Sequence, residues 1–287
     1  MIKKICIIAS AIIASTQAAI INKCVNKGML ALTFDNGPAD FSGAILDELA
    51  KNNVTAAFHV QTNYFTDPTV VARVKRIAAE GHLIGIAGNP NTDYRTVSTT
   101  DIVNDFNRAA TVIASLTGYW PKVVRMPFNK FDNRVVGALE GAGFYVTQHN
   151  LDSFDYTVPD PEKIYSAFQL SFALHADGEG NFIALQHDAV EGNIKALPDI
   201  VDLAISKKYK IVRLDQCIGV GNLTETTTSV NLPSASLRPT TLTASTSTKS
   251  STRSVSAQTG AGESLQNPVY QIIIGTLAAF GAFLFLY

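Results

Sequence analysis

The chain has 287 residues, with 23 Lys+Arg against 24 Asp+Glu and a formal net charge of −1. With no extended basic run, that balance excludes a nucleic-acid-binding protein. The middle of the chain is long enough to bury one substantial core, so a single domain is expected.

Residues 1–19 open on Lys3 and Lys4, continue through a short apolar run and close on the small residues Ala18 and Ala19. That order is a secretory signal, too short for a stable membrane span. A folded domain is expected over 20–221. Within it, apolar β-prone runs fall at 29–34, 54–60, 83–86, 122–125, 144–147, 182–185 and 210–213, and helical periodicity falls at 44–51, 70–79, 101–116, 133–141, 162–174 and 194–206. Strands alternating with helices predict an α/β fold with a parallel sheet. Seven runs with no obvious sheet-edge break favour a barrel, whose chemistry sits on the loops after the strands.

The polar residues just past each strand are therefore the candidates. They are Asp35 and Asn36 after the first run, the segment AGNPNTDY (87–94) after the third, and Arg125-Met126-Pro127-Phe128 after the fourth. HNLDSFDY (149–156) follows the fifth run, and His187 with Asp188 follows the sixth. Each cluster alone is a weak signal, but five on one barrel rim make a strong combination.

Cysteine use fits secretion. Cys6 leaves with the signal, and Cys24 and Cys217, one at each end of the domain, are expected to pair in an oxidising compartment. Asn53 and Asn222 head N-glycosylation sequons, with Asn222, at the base of the following stalk, the better candidate. Residues 222–264 are rich in Ser and Thr and read as a disordered stalk. Residues 265–287 are apolar, with the small residues Gly260, Ala261 and Gly262 upstream. That order matches a glycolipid-anchor signal attached at Gly260, and a retained C-terminal membrane span is the alternative. Either places the protein at the outer cell surface, on the membrane or in the wall.

Thr33-Phe34-Asp35-Asn36-Gly37-Pro38, Arg125 to Phe128, Asp152 to Tyr156 and Leu185-Gln186-His187 together resemble the motifs of the polysaccharide (chitin) deacetylases, the NodB-homology domains of carbohydrate esterase family four. The likeness covers about 27–218. It implies a distorted (β/α)7 barrel that removes acetyl groups from N-acetylglucosamine units with a divalent metal, usually zinc, held by one Asp and two His. It makes Asp35 the catalytic base and His187 the acid, with Arg125 orienting Asp35 and Asp155 supporting His187. The metal ligands are where this chain departs from the pattern. The ligand positions are Asn36, Ala87 and Asn91: a neutral amide, a methyl and a second amide. The five histidines are His59, His82, His149, His175 and His187, no two of them four apart, so no local register restores the His pair. His149 could face the rim, but one imidazole does not rebuild a three-ligand site. The expectation is a surface pseudoenzyme without a metal cofactor that binds or organises chitin-like wall glycan. An active metal-dependent N-deacetylase is the alternative. The remaining acid–base pairs, Asp35 with Arg125 and Asp155 with His187, are read equally as a ligand-binding rim or as plain structural ion pairs.

Overall fold

The computed structural model describes residues 20–225. Eight strands alternate with seven helices: β1 (Met29–Gly37), α1 (Ser42–Lys51), β2 (Ala57–Val60), α2 (Pro68–Ala79), β3 (Leu83–Ala87), α3 (Thr99–Thr117), β4 (Val123–Arg125), α4 (Asn133–Gly141), β5 (Tyr145–Val146), β6 (Leu151–Asp152), α5 (Pro161–Ala173), β7 (Asn181–His187), α6 (Glu191–Ser206), β8 (Lys210–Ile211) and α7 (Leu214–Cys217). The helices begin where short polar side chains satisfy free backbone N–H groups. Asp67, Ser98, Asp132 and Asp160 cap α2, α3, α4 and α5, and Pro68 and Pro161 follow two of these caps. Gly118, at φ 82°, ends α3 in the left-handed region.

All strand pairs are parallel, in the order β5-β4-β3-β2-β1-β7-β6, with β8 alongside the start of β1. This order demands curvature. β5 and β6 stand at opposite ends of the row, yet only residues 147–150 separate them. A flat row of seven strands would be about 29 Å wide, whereas that link spans at most about 17 Å. The sheet therefore curls into the distorted barrel that the family resemblance implies. Ile21 bridges to Thr147, extending the edge at β5.

Strand alternation then sorts the side chains. Leu30, Leu32, Phe34, Phe58, Val60, Ile84, Ile86 and Val124 pack outward into the large core under the helices. Ala31, Ala57, Leu83, Val123 and Ile183 point inward and fill the base of the barrel with Val212, Leu214 and the two cysteines. Cys24 and Cys217 form the expected disulfide across 193 residues, a closure of about 5 kcal/mol in the chain-entropy model. The inward positions one or two steps further along each strand are Thr33 and Asp35, His59 and Gln61, Gly85 and Ala87, Arg125, and His187. That inner file carries the site.

Two expectations shift. The run at 54–60 yields a strand only from Ala57, and 210–213 only Lys210–Ile211. The extra strand β6 arises inside the HNLDSFDY loop, where Leu151 and Asp152 pair with Ala184 and Leu185. Among the described residues, no helix is long and apolar enough to cross a membrane. The expected signal (1–19), most of the stalk (222–264), Gly260 and the tail (265–287) lie outside the described residues, apart from 222–225.

Candidate active site on the barrel rim

Asp35 ends the inner file of β1 and is almost fully buried. Its Oδ1 accepts from Arg125 Nη1 at 3.0 Å and pairs with His59 Nδ1 at 2.8 Å. Arg125 also donates to Thr33 Oγ1 at 2.6 Å and to the Gln148 carbonyl at 3.3 Å. Burial alone would raise the Asp35 pKa. The Arg125 guanidinium, and then His59, more than offset this and hold the carboxyl well below the usual range. His59 is itself fully buried, and burial, reinforced by Arg125, lowers its pKa. It is therefore the neutral ring whose Nδ1–H donates to Asp35, with Nε2 3.3 Å from Thr147 Oγ1. Gly85 makes room for that ring: a Cβ there would lie 2.7 Å from His59 Cδ2.

A second pair stands across the rim. Asp155, in the loop after β6, is fully buried and takes His187 Nδ1 at 2.8 Å and the His187 backbone N–H at 2.6 Å. Asn193 of α6 donates to the same carboxylate at 2.6 Å and to the His187 carbonyl at 2.9 Å. Burial works against a charged His187, but the Asp155 hydrogen bond and charge prevail and raise its pKa. With Nδ1–H committed to Asp155, Nε2 is the atom free to exchange a proton with a ligand. Asp188 faces the other way, into the turn after β1. A Cβ on Gly37 would collide with its carboxylate, Ser42 donates to it at 2.7 Å, and burial pushes its pKa up to about 6.

The third flank is chemically different. Asn36 is exposed, at φ 66°. Gln61, buried at the end of β2's inner file, donates from Nε2 to Asn36 Oδ1 at 3.2 Å and to the Gly88 carbonyl at 3.1 Å. Ala87 ends β3 beside Arg125 and lines a cavity of about 320 Å³ with Gln61, Tyr94 and Phe106. Asn91 is exposed in the following loop, its backbone N–H on Asn89 Oδ1 at 3.0 Å. His149 is half-buried, its Nε2 3.8 Å from Asp152 and its Nδ1 without a hydrogen-bond partner, and burial lowers its pKa.

The structure thus brings Asp35 and Arg125 together, and likewise Asp155 and His187. The sequence reading missed His59, Gln61 and Asn193. Strict alternation from Ala57 was the available signal for the first two.

The chain is similar in sequence and fold to known proteins. A polysaccharide deacetylase family profile covers residues 22–147. A chitin deacetylase of Colletotrichum lindemuthianum is 32% identical over 203 residues, covering 69% of this chain and 82% of that protein. The chain belongs to the polysaccharide deacetylase family. The structure of the Colletotrichum deacetylase superposes with a TM-score of 0.65 at 30% identity, over 70% of this chain and 92% of that one. A chitin deacetylase of Arthroderma benhamiae is 28% identical, over 70% of this chain but only 54% of its own length. A carbohydrate esterase family four pseudoenzyme of Bacillus anthracis shares the fold, with a TM-score of 0.62 at 18% identity over 73% of this chain and 70% of that one.

Polysaccharide deacetylases are metal-dependent. Among the described residues here, no group of three or more His, Cys, Asp or Glu is placed to hold a metal ion. The donors at the implied ligand positions do not suit one. Asn36 presents a neutral amide oxygen already engaged by Gln61, and Ala87 presents no donor atom. What remains is a proton donor at His187 Nε2 and a carboxylate, Asp35, that is a weak base because two neighbours already satisfy Oδ1.

Proposed function

We propose that this domain holds a chitin-like wall glycan on its rim without hydrolysing it efficiently. The observation that carries the reading is the amide and methyl set at positions 36 and 87. Without a Lewis acid, neither the acetyl carbonyl nor the attacking water is activated, and each loss is worth several kcal/mol in the transition state. The rim itself suits a sugar polymer. Phe128, Phe154 and Tyr156 are 71%, 54% and 54% exposed, and the Tyr156 ring packs edge-on to His187. Phe128 and Phe154 sit at φ 52° and 55°, a conformation bulky residues seldom adopt and one that is kept mainly where function requires it. Their flat apolar faces suit the C–H faces of pyranose rings.

The test is calorimetry with chitin oligomers alongside a deacetylation assay with zinc, cobalt and nickel supplied. Binding that weakens at least about tenfold in Phe154→Ala or Tyr156→Ala, without acetate release, supports the reading. Acetate release with about one metal per chain favours the second reading, an active metal-dependent N-deacetylase. The retained Asp35–Arg125 and Asp155–His187 pairs are what support that alternative. The leader-like 1–19 and the apolar 265–287 support a surface location. Release from cells by a phosphatidylinositol-specific phospholipase would establish a glycolipid anchor, and retention with the tail intact would establish a span. Asn53 and Asn222 are exposed, as glycan acceptors must be.

A further inference from the structure

We infer that the side-chain amide of Gln61 occupies the cation site, and that ligands restored around it will stay poor in metal until it is removed. The orientation of the amide is fixed by chemistry. The Gly88 carbonyl can only accept, so the atom 3.1 Å from it is Nε2, and the same Nε2 lies 3.2 Å from Asn36 Oδ1. One Gln61 NH2 group thus joins Asn36, at one implied ligand position, to the backbone carbonyl beside Ala87, at another. Both of its protons are used. The side chain is 4% exposed, so withdrawing the amide leaves two acceptors to be satisfied anew.

The obvious repair makes the bridge stronger. Asn36→Asp turns the acceptor into a carboxylate, and a charge-assisted hydrogen bond from Gln61 replaces a neutral one. Position 87 is not closed off on every side, because Ala87 and Gln61 both line a cavity of about 320 Å³. The N–H donors of Gln61 also face the acceptors, where a cation would have to sit, and present it with partial positive charge. The amide therefore excludes a cation both by position and by polarity.

The experiment compares zinc affinity, by competition with a chromophoric chelator, in Asn36→Asp/Ala87→His/Asn91→His and in the same variant carrying Gln61→Ala. The fourfold variant is expected to bind zinc at least about tenfold more tightly than the threefold one. Equal affinities, or no zinc binding in either folded variant, would overturn the inference. If the fourfold variant fails to fold, side-chain amide NMR comparing the unsubstituted domain with the single variant Asn36→Asp decides. A Gln61 NH2 pair that exchanges slowly with solvent and shifts when Asn36 becomes Asp supports the bridge. A fast-exchanging pair indifferent to that change overturns it.

Discussion

The two flanks of the rim have been treated differently. On the acid–base flank, each titrating group sits inside a set of partners: Asp35 between Arg125 and His59, and His187 on Asp155 with Asn193 behind it. On the metal flank the groups are neutral and two of them are exposed, and one glutamine amide links Asn36 to the Gly88 carbonyl. Charged groups inside a barrel hold one another in place, since removing one strands its partner, so substitution there is punished by stability even where catalysis is no longer needed. A metal ligand has no such structural partner once the metal is absent, and an amide or a methyl can replace it.

That contrast is broken or sharpened most strongly by paired substitutions. Asp35→Asn leaves the buried Arg125 guanidinium without its carboxylate and should lower stability by about 3–5 kcal/mol, read by urea unfolding. Asn36→Ala, one residue along, should change it by less than about 1 kcal/mol. Similar losses from the two would end the distinction. Gly85→Ala should come next, at about 1–3 kcal/mol, because its methyl meets the His59 ring and Val123. The same change combined with His59→Ala should recover part of that loss, and failure to recover would remove His59 as the reason for the glycine.

Histidine titration by NMR probes the same contrast without unfolding. His187 should titrate above its ordinary 6.5, and His59 and His149 below it. Because the folded His187 pKa is raised, its contribution to stability is fully present below the unfolded value and is lost as pH rises through the folded pKa. Asp155→Asn should erase that dependence and lower the His187 pKa. A pKa unmoved in this variant would assign the raise to another group. The smallest effect is expected at Phe128→Gly, which relieves a left-handed backbone and should raise stability by up to about 1 kcal/mol while weakening oligomer binding.

Much of this was legible in the sequence. The runs ending at Phe34, Arg125 and Leu185 stop against polar residues that cannot be buried alone, and the structure gathers those residues on one rim. The short strands were harder to see. Leu151–Asp152 has two residues and no alternation of its own, and is a strand only because β7 offers it an edge. Gln61 and His59 escaped for a different reason. In AFHVQ the polar residues look like exceptions in an apolar strand. Their roles come from Gly88, just past β3, and from Gly85 and Asp35 on other strands. Asn36, Ala87 and Asn91 were visible as departures, but the hydrogen bonds that replaced a ligand set were not.

The cystine at the base has a mechanical consequence. Residues 222–225 leave the domain beside Asp215 and Arg213, at the end of the barrel away from the rim. A pull on the chain at that point loads α7 first. Cys217 then passes the tension through the disulfide to Cys24 and the lead-in to β1, so α7 cannot be drawn out of the base as an independent plug. The load path runs from covalent bond to covalent bond along the base, and the ends of the strands that carry Asp35, Arg125 and His187 lie outside it. A polymer gripped at the rim and a tether held at residue 225 would strain opposite ends of the barrel, with the full length of β1 between them.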